Sequence, residues 1–157
     1  MERDYLTNLP SRRSLYQYYN GLEESDRVHG MFLDVDNYKR INDFFGHSMG
    51  DRLMVCIGKF LHEHAKGFAA RVGGDEFHVI AGDYSIDECE RFIASVLEYM
   101  KGYNEVNSMP FRVEISYGSV LIEEFEVGNL EYYLNISDNR MYKQKFKKKK
   151  SRGMSEY

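Results

Sequence analysis

Residues 71–77 read RVGGDEF, and no other stretch constrains the chain so tightly. Two adjacent glycines separate short apolar runs at 68–72 and 77–81. That pattern predicts two antiparallel strands joined by a two-residue turn, with both glycines at positive φ. Asp75 and Glu76 follow the glycines directly. Neighbouring carboxylates on a rigid mount repel each other unless a cation lies between them. A solvated turn with acidic flanks has the same composition, so the pair becomes informative only beside other residues.

The flanking pattern supplies the elements. Residues 11–24 predict a short helix, capped by Ser11 and ending near Gly21. Val28–Val35 is apolar on both alternating sets, as in a central strand, with Asp34 and Asp36 at its C-terminal end. Residues 37–45 predict a short helix ending at Gly46. Residues 48–65 predict a longer one with Leu53, Ile57, Phe60 and Leu61 on one face. Ser85 and Glu88 have the capping-box spacing, opening a helix over 85–103. Residues 104–110 read as a loop. Residues 111–122 form the last strand candidate, in which Gly118 marks a bulge or a close approach. Residues 130–150 predict the closing helix. The order is helix, β, α, α, β, β, α, β, α. It implies an α+β domain in which helices pack on one face of a mostly antiparallel sheet.

A chain of 157 residues, 43% hydrophobic and 15% aromatic, suits a single domain over 1–157 and argues against disorder. No stretch is apolar enough to insert in a membrane, and Met1 opens no signal peptide. Cys56 and Cys89 read as reduced, buried thiols of a cytoplasmic protein. The net charge of −4 conceals an asymmetry. The first 139 residues carry 13 basic and 24 acidic groups, whereas residues 140–152 carry eight basic groups and no acid. So acidic a body is unlike a nucleic-acid binder. The basic end, about 146–157, reads chiefly as a solvated tail.

Asp34 and Asp75 are far apart in sequence, yet both lie at strand ends beside turns. If the first strand neighbours the hairpin, their carboxylates converge. Convergent acids with an open side suit Mg²⁺, which takes a few carboxylates together with substrate phosphates. After Asp36, residues 37–40 open a helix whose N–H groups suit an anion, with Lys39 placed to meet a phosphate.

Four motifs in order then carry a resemblance. DYLTNLPSRR over residues 4–13, DVDNYKRINDFFGHSMGD over 34–51, RVGGDEF over 71–77, and ISYG over 115–118 with DNRMYKQK over 138–145 resemble the GGDEF domain, the diguanylate cyclase family. The resemblance spans nearly the whole chain. It implies a palm-like sheet, similar in outline to ferredoxin-like and nucleotide-cyclase folds. It implies GTP as substrate and cyclic di-GMP with two pyrophosphates as products. A homodimer of half-sites would be required, each holding two Mg²⁺ or Mn²⁺ ions. An upstream sensory or receiver region is also implied.

Residue by residue, the resemblance implies metal binding by Asp34, the Val35 carbonyl and Asp75. Glu76 is implied as an essential acid, in metal binding or in deprotonating the attacking 3′-hydroxyl. Asn42 and Asp51 match guanine-recognition positions. Lys39, Lys145 and Lys149 match phosphate contacts, Asn37 and Tyr38 are substrate-binding candidates through the N–H groups of the helix start, and Lys39 joins Asp75 and Glu76 among the implied catalytic residues. An ionised carboxylate at Asp51 accepts from guanine N1–H and the 2-amino group, which adenine lacks. Relatives usually carry Arg where Lys149 stands, and Lys cannot make the planar two-point contact of Arg. The R-x-x-D product-inhibition motif of many relatives is replaced by His64-Ala-Lys-Gly67. The alternative is an inactive GTP-binding or dimerising module on the same fold.

Overall fold

The computed structural model describes residues 1–23, 27–82, 84–107, 112–122 and 129–151. The elements run α1 (Arg12–Asn20), β1 (Val28–Val35), α2 (Tyr38–Phe45), α3 (His47–His64), β2 (Phe68–Arg71), β3 (Glu76–Gly82), α4 (Ile86–Asn107), β4 (Ile115–Ile122) and α5 (Asn129–Ser151). The strands form one antiparallel sheet in the order β2-β3-β1-β4.

The alternation along β1 explains why it is central. Met31, Leu33 and Val35 enter a core with Ile41 of α2, Leu53, Ile57 and Leu61 of α3, and Phe92, Ile93 and Val96 of α4. Val28 enters a second core with Leu15 and Tyr19 of α1, Phe68, Ile80, Val120 and Leu130. Helices therefore cover both faces, where the sequence order suggested one. Two apolar faces on β1 require two covers. Burial of each large aliphatic side chain contributes about 1.5–3 kcal/mol. Leu53, Ile57 and Leu61, all at most 1% exposed, anchor α3.

Local chemistry fixes the ends of the elements. Ser11 Oγ accepts from Ser14 N at 3.3 Å, and Ser85 Oγ from Glu88 N at 3.1 Å. Helix α1 stops at Asn20, short of the expected 24, with Gly21 N–H bonded to the Gln17 and Tyr18 carbonyls. Helix α4 runs past Tyr103 to Asn107, so residues 104–107 are helical where a loop was expected. The cause is Asn104: its amide donates to Val113 O at 2.6 Å and accepts from Val113 N at 2.6 Å. The side chain thus serves Val113 as a strand partner would. Strand β4 begins only at Ile115, and Phe111 lies outside the described residues. Gly118 faces Phe32 in unbroken register, so it makes no bulge.

The hairpin differs from the expected two-residue turn. Residues 72–75 form the connection, closed by Val72 N donating to Glu76 O at 3.0 Å. Among the described residues the positive-φ glycines are Gly46 and Gly67, and neither Gly73 nor Gly74 is one of them. Gly73 matters for space instead. A Cβ there would stand 3.1 Å from Glu76 Oε2, so its absence lets that carboxylate fold back over the loop. Gly67, at φ 136°, has no room for a side chain: a Cβ would stand 2.2 Å from Ile80 O. Among the described residues no helix is long and apolar enough to cross a membrane. Cys89 is buried and free; Cys56 is free and only half-buried.

Candidate functional site

The site is assembled where β1 ends beside the hairpin. Asp34 pairs with Glu76 in the β1–β3 register. Strand alternation sends both side chains to the face that α5 covers. Three hydrogen bonds hold the loop between them. Val35 N donates to Asp75 O at 3.0 Å, Arg71 Nη2 to Gly74 O at 2.7 Å, and Val72 N to Glu76 O. Arg71 is itself fixed, with Nη1 3.1 Å from Asp4 Oδ2. The N-terminal turn therefore braces the acidic loop.

Carboxylate oxygens of Asp34, Asp75 and Glu76 all lie within 4.8 Å of one another. Lys145 reaches into this group, its Nζ donating to Asp34 Oδ2 at 2.5 Å. The other oxygen, Asp34 Oδ1, is buried without a hydrogen-bond partner. Burial raises the Asp34 carboxyl to about 7; Lys145 opposes the rise and Asp75 adds to it. Burial also raises Glu76, with further contributions from Asp75 and Asp138. Among the described residues Lys145 and Arg12 oppose these shifts, two cations against three clustered acids.

The remaining predicted positions form an arm leaving the same strand end. Asn37 adopts a left-handed conformation, φ 58°, and turns the chain into α2. Tyr38 is half-buried and Lys39 exposed at the start of α2. Asn42 Oδ1 is buried and unpartnered, packed against the Cα of Gly50, where a Cβ would stand only 1.9 Å away. Asp51 follows Gly50 and is exposed. Lys149 is half-buried one turn beyond Lys145 on α5.

The sequence assigns no role to Asp36, Ser116 or Lys148, which form a polar group behind the acids, the first two buried and Lys148 half-buried. Lys148 Nζ donates to Asp36 Oδ2 at 3.0 Å and Ile115 O at 2.9 Å. Lys148 thus departs from the solvated tail expected of the basic run, and α5 stays helical to Ser151. Spacing alone does not single it out, since Lys149, four residues from Lys145, lies as near that face.

Comparison with known proteins fits this geometry. The family profile "Diguanylate cyclase, GGDEF domain" matches residues 1–151. The chain belongs to the GGDEF family. The sheet flanked by helices is that family's palm-like fold. A microbial GGDEF domain, from a structure describing its interaction with cyclic di-GMP, shares 28% identity and a TM-score of 0.73, covering 92% of this chain and 93% of that one. The probable diguanylate cyclase DgcT of Escherichia coli is 28% identical over 151 residues, 91% of this GGDEF chain. The cyclic di-GMP phosphodiesterase PdeR of Escherichia coli is 30% identical over 116 residues, 70% of this chain. The chain spans 33% of DgcT and 16% of PdeR.

Proposed function

We propose that this GGDEF domain is a diguanylate cyclase half-site. The observation that carries the reading is the convergence of Asp34, Asp75 and Glu76 with the buried, unpartnered Asp34 Oδ1. An all-oxygen, net-negative donor set fits Mg²⁺ or Mn²⁺ better than softer metals. Asp34, the Val35 carbonyl, Asp75 and Glu76 would hold two such ions, which when bound supply charge neutralisation at the triphosphate and a more acidic 3′-hydroxyl.

The chain's own residues do the rest. Asn42 and Asp51 take the guanine edge. An unpaired Asn42 Oδ1 suits a guanine donor, and an ionised Asp51 rejects adenine. Asn37 and Tyr38 shape the turn that receives the phosphates, and Lys39, Lys145 and Lys149 neutralise them. Glu76 either binds metal or removes the 3′-hydroxyl proton. In a homodimer, each 3′-oxygen bonds to the other nucleotide's α-phosphorus. The bond from that phosphorus to the β-phosphate bridge breaks, and the hydroxyl proton leaves. Two such steps yield cyclic di-GMP and two pyrophosphates, chiefly through positioning and charge stabilisation.

Feedback through an R-x-x-D motif is absent in this reading. The missing Asp would stand at Gly67, which has no space for a side chain. An upstream sensory or receiver region and a cytoplasmic supply of GTP complete this proposal.

A second reading is an inactive GTP-binding or dimerising module. It is favoured by the similarity to PdeR, a protein named for a phosphodiesterase activity. Incubation with GTP and Mg²⁺ followed by nucleotide chromatography separates the two. Cyclic di-GMP that disappears on Asp75→Ala supports the cyclase. GTP binding without product supports the module.

A further inference from the structure

The run of lysines ending α5 conceals one that is turned inward. Lys148 Nζ contacts Asp36 Oδ2, the Ile115 carbonyl and Ser116 Oγ at 3.0, 2.9 and 3.2 Å, with Glu114 Oε2 at 3.9 Å. The second oxygen of Asp36 accepts from Ser116 Oγ at 2.7 Å, and Asp36 N donates to Glu114 O at 2.8 Å. Asp36 is 7% exposed and Ser116 fully buried. Both carboxylate oxygens and the ammonium are therefore satisfied, as a buried ion pair requires.

The placement of this pair gives it a consequence. Lys145 and Lys148 lie three residues apart on α5 and grip Asp34 and Asp36, two residues apart at the end of β1. Asp36 immediately precedes Asn37, whose left-handed backbone launches α2 and Lys39. We propose that Lys148 is a positioning residue. By clamping Asp36 it fixes the rotation of α5, which holds Lys145 over the acidic cluster. It also fixes the turn at residues 36–38 from which the triphosphate is gripped. The clamp acts on ground-state phosphate binding, so its loss should appear mainly in KM for GTP.

This inference rests on the GTP-site reading, and its test uses two readouts to keep the two apart. The first is steady-state kinetics of wild type, Lys148→Met, Lys148→Arg and the double variant Asp36→Asn/Lys148→Met, at a temperature where all are folded. Lys148→Met should raise KM for GTP about ten-fold or more, since small misplacements of binding groups cost up to about 10²-fold. Lys148→Arg should recover most of that loss. The double variant should be no worse than Lys148→Met alone, because the two side chains act as one unit. The second readout needs no substrate. Amide hydrogen exchange at Asp36 and Ile41, whose N–H groups donate to Glu114 O and Asn37 O, should accelerate about ten-fold in Lys148→Met while α3 keeps its protection. A KM within two-fold of wild type, or a lowered melting temperature with unchanged KM and unchanged exchange at Asp36 and Ile41, overturns the clamp. Should wild type bind no GTP, the site reading fails and the exchange result alone decides the clamp.

Discussion

Lys145 Nζ and Asp34 Oδ2 are 2.5 Å apart, whereas Asp34 Oδ1, on the same carboxylate, is buried with no partner. The ammonium thus serves one oxygen of Asp34 and leaves the other for a further cation. This predicts that Asp34→Asn and Lys145→Met both abolish most of the Mg²⁺-dependent activity, by on the order of 10²-fold or more. The two should differ in metal binding. Asp34→Asn should weaken Mn²⁺ binding in a titration without nucleotide. Lys145→Met should leave it equal or stronger, because a competing cation is gone. Equal weakening by both would contradict this assignment.

Asn42 packs where Gly50 lacks a side chain, a Cβ there standing 1.9 Å from Asn42 Oδ1. Gly50→Ala should therefore displace the Asn42 amide while adding helix propensity to α3. We expect KM for GTP to rise about ten-fold with the melting temperature little changed. Unchanged KM for GTP would remove Asn42 from guanine recognition.

Two groups give the fold acid-sensitive stability in different windows. Burial, aided by Arg12, lowers His78 from 6.5 to about 3. Its unfolded form takes up a proton first, so this contribution is complete above pH 6.5 and declines as pH falls toward 3. For Asp4, burial acts to raise the carboxyl, but hydrogen bonds from Thr7 and Arg71 outweigh it and hold the group below its usual 3.8. That contribution is present above 3.8 and is lost as pH falls through the lower folded value. Urea midpoints measured against pH should flatten between 6.5 and 3 in His78→Gln, and only below about 3.8 in Asp4→Asn. Acid limbs identical to wild type in both variants would contradict these origins.

At Gly67 the backbone has φ 136°, and Ile80 O fills the space a Cβ would need. Gly67→Ala should cost about 1–3 kcal/mol of stability, read as a lower urea midpoint. Adding cyclic di-GMP to the wild-type reaction should leave the initial rate unchanged at product concentrations that saturate relatives bearing the R-x-x-D motif. Strong non-competitive inhibition would show an inhibitory site elsewhere.

Much of this architecture is written locally in the sequence. The alternation of residues 28–35, apolar on both sets, locates the central strand, and Gly-Gly between two apolar runs locates the hairpin beside it. Together they bring Asp34 to Asp75 and Glu76. Other features depend on tertiary contact and left no local trace. Residues 72–75 avoid positive φ because bonds from Arg71 and Val35 hold the loop from outside and Val72 N closes it on Glu76 O. Helix α4 gains a turn because Asn104 pairs with Val113. Within the run KKKK at 147–150, composition cannot tell which lysine turns inward. Buried Leu130 and Met141 hold the earlier turns of α5 on the sheet, and at its last turns the contact with Asp36 singles out Lys148.

The most direct test of the account is the dependence of initial cyclic di-GMP formation on protein concentration, at saturating GTP and Mg²⁺. Each chain carries half of the reaction in this account. The rate should therefore rise steeply, with a log–log slope approaching two while the protein is mostly monomeric. A slope of one from monomeric protein, or no product at any concentration despite bound GTP, would contradict the half-site cyclase.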